Sequence, residues 1–218
     1  MGGGRGRTAG TRSAADDVPV LRRFAPGVRS GPAQGATVSA ARLRIIAGHL
    51  GGRRIQASEV SRPTQERVRE ALFSSWSSLV PGGVFADLFC GSGAMGLEAL
   101  SRGAERAFFV DADVGSLETA RTNARGLGVE EHCVFLRSLL PRQWQRVATK
   151  LESATLVFAD PPYDFADYES LAEGMSELPG VESMAIEHSA RSRWRSSWQG
   201  ATIKSYGESA LTLRALAG

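Results

Sequence analysis

The stretch VFADLFCGSGAMGLEALSRGA, residues 84–104, decides the fold. It begins as an apolar run, passes through a glycine-rich turn and continues with apolar residues at helical spacing. Gly91, Gly93 and Gly96 match the pattern G-x-G-x-x-G, in which the backbone approaches a ligand closely at the N-terminus of a helix. The stretch therefore predicts a strand, a ligand-binding turn and a helix.

Segments typical of strands and helices alternate along the rest of the chain. We predict strands near residues 84–89, 106–111, 133–137, 154–159, 183–188, 201–206 and 209–216, and helices near 94–102, 114–127, 139–149 and 167–178. Because this alternation is typical of parallel strands joined by helices, we predict an α/β fold with a seven-stranded Rossmann-like sheet. The loop YGES between the last two strands is too short for a crossover, so the terminal strand should be antiparallel.

The chain before the sheet divides into two further segments. Residues 42–80 contain two strand-like runs separated by glycines, followed by apolar residues at helical spacing, which predicts a β-hairpin and a helix. Residues 1–41 are rich in Gly, Ala, Ser, Pro and Arg and have no hydrophobic period, which predicts a disordered tail. Residues 81–218 are then the catalytic domain.

The net charge of +3 is unevenly distributed. Residues 1–73 hold 13 arginines and 5 acidic residues, whereas the remainder holds 13 basic and 18 acidic residues. The basic N-terminal third beside an acidic remainder favours a polyanionic partner for residues 42–69. For residues 1–40 we favour a solvated arginine-rich tail without such a role. The arginines predicted to bind nucleic acid are Arg42, Arg44, Arg53, Arg54, Arg62 and Arg67, whereas we expect Arg69 to pair with an acidic residue.

Several features favour a cytoplasmic protein. No apolar run approaches the roughly 20 residues of a membrane span, and the N-terminus lacks the apolar centre of a secretory signal. Cys90 and Cys133 are far apart and have no metal-type spacing. We therefore predict a cytoplasmic protein, a monomer, with neither a metal site nor a membrane segment.

Two acidic residues indicate which ligand the glycine-rich turn binds. Asp87 lies four residues before Gly91 and suits an ammonium group better than a phosphate. Asp111 ends the next strand, where an acidic residue takes ribose hydroxyls. A nucleoside with an ammonium group and a carboxylate is S-adenosylmethionine. NAD(P) ranks second, because a phosphate gains nothing from Asp87, and a packing turn without a ligand is the third interpretation.

The stretch FADPPYDF, residues 158–165, predicts the catalytic end of the sheet. The amine of a nucleobase is a poor nucleophile, and two acceptors that bind both its N–H groups favour the geometry and charge of the transition state. Asp160 and the carbonyl of Pro161 supply those acceptors, the two prolines stiffen the backbone, and Tyr163 offers a face for stacking. The alternative is a strand-ending turn with Tyr163 in the core.

These motifs resemble those of a known family. DLFCGSGAMGLEALSRGA, VDAD and DPPY resemble the motifs of class I S-adenosylmethionine-dependent methyltransferases. The upstream RIIAGHLGGRRI and RPTQERVREALF are similar to the RsmD family of bacterial 16S rRNA guanine-N2 methyltransferases. The resemblance implies cofactor contacts from Thr64, Asp87, Phe89, Gly91, Gly93, Ala94, Asp111 and Ser138, and catalysis by Asp160, Pro161, Pro162 and Tyr163. It also implies 16S rRNA as the partner, either naked or within the assembling small subunit.

Three other functions stay open at this point. An adenine-N6 or cytosine-N4 nucleic-acid methyltransferase uses the same D-P-P-Y chemistry, although no extra region for reading the DNA major groove is evident. A non-catalytic RNA-binding assembly factor could keep the fold, but the intact Asp87, Asp111 and Asp160 count against it. A protein-glutamine methyltransferase is a weaker alternative, because those sites usually have Asn where Asp160 stands.

Overall fold

The computed structural model describes residues 1–2, 42–57, 63–192, 194 and 198–216. For Arg42, Pro63 and Thr64 only the backbone is described. The predicted disordered tail lies outside the described residues except for its first two, and Arg62 lies outside them too.

The described residues form nine strands and five α-helices. The strands are β1 (Arg42–Arg44), β2 (Arg54–Gln56), β3 (Val84–Leu88), β4 (Arg106–Asp111), β5 (Cys133–Arg137), β6 (Leu156–Ala159), β7 (Ser183–Ser189), β8 (Thr202–Tyr206) and β9 (Ser209–Ala215). The helices are α1 (Pro63–Ser75), α2 (Ala94–Ser101), α3 (Val114–Leu127), α4 (Gln145–Ala148) and α5 (Tyr168–Ser176), with short 3₁₀ turns at Glu130–His132 and Thr149–Leu151.

Seven of the strands form one mixed sheet in the order β5-β4-β3-β6-β7-β9-β8. The first five of these are parallel, and β9 runs antiparallel to both β7 and β8. The predicted fold class is therefore confirmed, including the antiparallel terminal strand. The chain order reverses beside β3, which has β4 on one side and β6 on the other. Ligands of open α/β sheets bind outside the carboxyl ends of the strands at such a point.

The predicted helix over 139–149 is wrong in its first half. The chain makes turns up to Trp144 and becomes helical only at α4. Pro141 has no backbone N–H to contribute to a helix. In this segment the amide of Leu139 donates a hydrogen bond of 3.1 Å to the side chain of Gln143. The other predicted bounds within the sheet region agree with the structure to within two residues.

The predicted hairpin is confirmed, and it shares a hydrophobic core with the sheet. β1 and β2 pair antiparallel, and Ile45 and Ile55 are buried with Leu72 of α1 in the core on one face of the sheet. The indole of Trp76, just after α1, donates a hydrogen bond of 2.8 Å to Ser183 of β7. Burial of these side chains fixes the N-terminal segment against the sheet.

Buried polar groups hold the hairpin beside the glycine-rich turn. The fully buried carboxylate of Glu98 in α2 accepts hydrogen bonds from the amides of Ile46 and Ala47 at 2.6 and 3.0 Å. Asn123 of α3 exchanges two hydrogen bonds with the backbone of Gln56 and donates a third to the carbonyl of Ser92 at 2.9 Å. The end of β2 and the glycine-rich turn are therefore tied to the same side chain.

Candidate active site

The turn after β3 has an unusual backbone. Phe89 has a φ of 60°, which is uncommon for a residue with a side chain, and Gly91 and Gly93 have φ values of 51° and 79°. Such strained residues persist where the surrounding structure holds them, often at ligand sites. Gly91 has nothing within 4 Å of the position of a Cβ, so its backbone faces open space. The turn can therefore approach a ligand closely.

Gly96 is required by packing in the first turn of α2. A Cβ added there would lie 2.4 Å from Cε1 of Phe109, which is fully buried and stacks on Phe135. The amide of Gly96 donates a hydrogen bond of 2.9 Å to Oδ2 of Asp87. The third glycine of the motif therefore lets α2 pack closely on β4 and fixes the orientation of the Asp87 carboxyl.

We expect Gly96→Ala to destabilise the protein by about 1–3 kcal/mol, because the added methyl group cannot fit beside Phe109 without strain. Urea denaturation measures this change in the free energy of unfolding. Gly126→Ala is the matched control: this glycine is exposed within α3 and nothing lies within 4 Å of its added Cβ. The control should stabilise by about 0.5–1 kcal/mol through helix propensity. Equal stability of the two variants would contradict the packing argument.

Asp87 lies at the end of β3 and is almost completely buried. Burial raises the pKa of its carboxyl to about 8, the negative charge of Asp111 adds to this, and the hydrogen bond from Gly96 opposes it. A buried carboxylate without a cation is unfavourable. A cationic group bound in front of Asp87 would favour its ionised form, as the sequence predicted for an ammonium group.

Asp111 at the end of β4 stabilises the glycine-rich turn by a hydrogen bond. Its Oδ2 accepts a hydrogen bond of 2.9 Å from the amide of Gly91, and its Oδ1 accepts one of 2.9 Å from the amide of Asp113. Asp113 caps α3 by accepting a hydrogen bond from the amide of Ser116. Asp111 thus lies beside the turn, where the sequence predicted a ribose-binding acid.

Two neighbouring cavities open at the carboxyl ends of the strands. The glycine-turn cavity has a volume of about 220 Å³ and is lined by residues that include Arg69, Asp87, Phe89, Gly91 and Ala94. The proline-corner cavity has a volume of about 720 Å³ and is lined by residues that include Pro161, Pro162, Tyr163, His188 and Ser209. Asp160 and Glu187 line both cavities. These two carboxyl groups therefore stand where the cavities meet.

The register of the sheet places Asp160 and Glu187 side by side. Ala159 of β6 pairs with Ile186 of β7 in parallel register. Asp160 follows Ala159 and Glu187 follows Ile186, so the two acidic residues lie next to each other at the same edge of the sheet. Asp160 remains accessible to solvent through the cavities, although protein atoms surround it on its other sides. Desolvation, followed by the negative charges of Glu187 and Asp87, raises the pKa of Asp160 well above its usual range.

Desolvation also raises the pKa of Glu187, and a hydrogen bond with the side chain of Ser209 opposes this shift. Two carboxylates so close together repel each other, so a hydrogen-bond donor that enters between them is stabilised. In the ionised form, the pair is an acceptor site for a ligand that presents several N–H groups.

The proline corner presents an aromatic ring to solvent. Tyr163 is 81% exposed, so the alternative interpretation with Tyr163 in the core is wrong. Pro161 is buried, and the amide of Asp160 donates to the carbonyl of Leu88 at 3.3 Å, which anchors the corner to β3. The ring of Tyr163 is thus available for stacking at the mouth of the cavity.

Some predicted cofactor residues do not line the glycine-turn cavity. Gly93 packs against Phe109 and Ala120, and the buried hydroxyl of Ser138 donates to the carbonyl of Gln143 at 3.1 Å. The side chain of Thr64 lies outside the described residues. Asp111 lies beside the glycine-rich turn but is not among the residues that line this cavity. The cofactor roles of all the predicted residues stay predictions.

The predicted RNA-binding arginines have different surroundings. Arg44 lies 3.5 Å from Glu66, and Arg53 donates to the carbonyl of Gly126 at 3.0 Å. Arg54 and Arg67 are exposed. Nothing in the structure tests contact with RNA, and the side chains of Arg42 and Arg62 lie outside the described residues.

The expectation that Arg69 pairs with an acidic residue is wrong within the part of the chain that the structure describes. No carboxylate there lies within 4.0 Å of its guanidinium. The nearby Glu98 is bound instead by Arg102 at 2.7 Å and by backbone amides. Arg69 and Glu187 are two of the cavity residues for which the sequence predicted no role in the site.

Within residues 42–57, 63–192, 194 and 198–216, no cluster of three or more His, Cys, Asp or Glu side chains is arranged to hold a metal ion. None of the helices described there has the length and apolar character needed to cross a membrane.

Comparison with known proteins places the chain in a family. A family model described as Conserved hypothetical protein 95 matches residues 43–215. The chain belongs to this family.

Two curated proteins with similar sequences are named as rRNA methyltransferases. The chain is 36% identical over 142 residues to a Bacillus subtilis protein with the provisional name rRNA methyltransferase YlbH, an alignment that covers 64% of this chain and 77% of that protein. It is 33% identical over 123 residues to Ribosomal RNA small subunit methyltransferase D of Escherichia coli, which covers 56% of this chain and 60% of that protein. The predicted membership of the RsmD family is confirmed.

Solved structures have the same fold. Hypothetical protein TTHA0928 of Thermus thermophilus superposes with a TM-score of 0.67 at 27% identity, covering 80% of this chain and 99% of that one. A methyltransferase-type protein of Escherichia coli, yhhF, superposes with the same TM-score of 0.67 at 24% identity, covering 79% of this chain and 97% of that one. The second likeness supports the fold alone.

Proposed function

We propose that this chain transfers a methyl group from S-adenosylmethionine to the exocyclic N2 amine of a guanine in small-subunit rRNA. The observation that carries the proposal is the position of Asp160, which joins a cavity bordered by Asp87 and Gly91 to a cavity bordered by Pro161 and Tyr163. The names of the relatives support a methyltransferase that acts on rRNA. The alignment with the Escherichia coli protein covers less than two thirds of that protein. The activity of the whole Escherichia coli protein is therefore only proposed for this chain.

The charged groups that line the glycine-turn cavity suit the methionine end of S-adenosylmethionine. This cofactor supplies a methyl group on a positively charged sulfur, which a weak nucleophile can attack. Asp87 binds the ammonium group, because a cation in front of a buried carboxyl restores its charged form. Gly91 and Ala94 bring the backbone close, Phe89 forms part of the wall, and Asp111 lies beside the turn to accept the ribose hydroxyls.

The proline corner holds the amine that is methylated. The carboxylate of Asp160 and the carbonyl of Pro161 accept its two N–H groups, which favours a tetrahedral nitrogen and stabilises the positive charge that develops on it. Pro162 keeps the backbone rigid, and the exposed ring of Tyr163 stacks on the base. The base must be unpaired or leave its stack to enter the cavity.

Glu187 favours guanine over the other bases with exocyclic amines. Guanine carries an N1–H donor next to its N2 amine, whereas the ring nitrogens next to the amines of adenine and cytosine are acceptors. Glu187 stands beside Asp160 and lines the same cavities, so its carboxylate can accept the N1–H. The positive charge of the bound cofactor favours the ionised form of Glu187, which lines the same cavity, and an acceptor base would leave this carboxylate facing a lone pair. Adenine-N6 and cytosine-N4 methylation are disfavoured for this reason.

The exposed arginines near the hairpin and α1 supply the RNA contact in this proposal. Arg54 and Arg67 are exposed and are free to contact phosphates, and each such contact steepens the salt dependence of binding by about one unit. The enzyme acts as a monomer in the cytoplasm, on naked rRNA or on the assembling small subunit.

The test is methylation of rRNA from a strain that lacks this gene. We expect the purified protein with S-adenosylmethionine to form N2-methylguanosine at one position, detected by mass spectrometry of rRNA nucleosides. Parallel reactions with naked rRNA, small subunits and DNA identify the substrate. Formation of N6-methyladenosine or N4-methylcytosine would replace the guanine proposal, and the absence of any transfer would leave the assembly-factor alternative.

A further inference from the structure

We infer that Arg69 binds the carboxylate of the methionine part of S-adenosylmethionine. The inference rests on the proposed cofactor and assigns a residue to one end of it. Arg69 belongs to α1, outside the glycine-rich motif, and sequence analysis expected it to form an internal ion pair.

The burial of Arg69 is the first observation. The residue is 4% exposed, and its Nη2 donates to the carbonyl of Arg44 at 3.1 Å. Its Nε is buried and makes no hydrogen bond to any residue that the structure describes. A buried donor without a partner is costly, and the cost is higher for a charged group. Burial lowers the pKa of the guanidinium, but an arginine keeps its charge in proteins.

The position of Arg69 is the second observation. Its side chain lines the glycine-turn cavity, whose wall also contains Asp87. One cavity therefore presents a guanidinium and a carboxyl group, which is the complement of an amino acid with a free ammonium group and a free carboxylate. The guanidinium fork matches a carboxylate in geometry as well as in charge.

A carboxylate ligand also balances the charge of the cavity. Asp87, Asp160 and Glu187 all line it and are acidic, so an anion would be repelled without a cation in the wall. Arg69 is the cationic residue among the described lining residues. Because α1 also packs on the sheet through Leu72, the guanidinium is held on a rigid element.

The test compares S-adenosylmethionine with decarboxylated S-adenosylmethionine, which has the ammonium group but no carboxylate. Isothermal titration calorimetry measures the dissociation constants for both. We expect Arg69→Met to weaken binding of S-adenosylmethionine on the order of 10- to 100-fold, as for loss of a charged hydrogen bond. The same variant should bind the decarboxylated compound as tightly as the wild type or more tightly, because a like charge has been removed.

Two further variants separate recognition from folding. Arg106→Met removes an exposed arginine at the start of β4, away from the carboxyl ends of the strands, and should leave both cofactor affinities unchanged. Arg69→Lys keeps the charge without the fork and should recover part of the lost affinity. Met is similar to Arg in volume, so Arg69→Met should melt at the same temperature as the wild type or higher.

The possible outcomes are distinct. If the wild type binds neither compound, the proposed function fails at its cofactor. If the wild type binds both compounds equally, or if Arg69→Met loses the same factor for both, the assignment of Arg69 is wrong while the proposed function stands.

Discussion

Asp160→Ala should reduce methyl transfer to rRNA on the order of 1,000-fold while the affinity for S-adenosylmethionine stays within about threefold. The substitution removes the side-chain acceptor that stabilises the amine in the transition state. The affinity is retained because Asp87 and the glycine-rich turn are unchanged. Single-turnover rates with labelled cofactor measure the first quantity, and calorimetry measures the second.

Two companion variants define the role of Asp160. Asp164→Ala removes an exposed acidic residue from the same loop and should leave the rate unchanged. Asp160→Asn keeps an acceptor oxygen but loses the charge, so it should retain more activity than Asp160→Ala. Full turnover by Asp160→Ala would show that the amine is activated elsewhere and would remove the basis of the proposed mechanism.

Glu187→Gln should change the base preference of the enzyme. We expect the rate on guanine to fall on the order of 100-fold, because the carboxylate that accepts the N1–H is replaced by an amide. 2-Aminopurine has an amine at the same ring position but an acceptor at N1. The introduced side-chain amide can donate to that acceptor, so the variant should methylate 2-aminopurine faster than the wild type does.

This experiment uses rRNA in which the guanosine methylated by the wild type is replaced with 2-aminopurine by splinted ligation. Glu208→Gln is the control, because this exposed acidic residue lines the outer part of the proline-corner cavity. An unchanged ratio of guanine to 2-aminopurine rates in Glu187→Gln would contradict the proposed recognition of N1–H. The role of Asp160 would be unaffected by that result.

The parts of the site that lie within one local motif could be predicted from the sequence. Gly91, Gly96 and Asp87 belong to a single strand–turn–helix unit, where the spacing along the chain fixes the spacing in space. The D-P-P-Y segment could be predicted for the same reason, because the two prolines end β6 directly after an apolar run. The seven strands followed from hydrophobic runs and the length of the connections between them.

The remaining parts depend on tertiary register. Glu187 lies beside Asp160 only because β6 and β7 pair with Ala159 opposite Ile186, and the sequence of either strand alone does not specify that pairing. The sequence does contain an indication that Arg69 is buried. Arg69 is three residues before Leu72 and seven before Trp76, so it lies on the apolar side of α1. A charged residue on a buried stripe needs a partner. The sequence could not identify it as a ligand contact, because that required the cavity.

Because the hairpin is attached to α2 and α3, it can dock only after those helices have been synthesised. The hairpin emerges during translation before Glu98 and Asn123, which lie 52 residues beyond Ile46 and 67 residues beyond Gln56. An isolated pair of short strands is marginally stable at best, so the nascent hairpin has nothing to dock on until those side chains have been synthesised. The part of the glycine-turn cavity formed by Leu43 and Ala57 is therefore assembled only after the first βα unit exists, although its residues are synthesised before that unit.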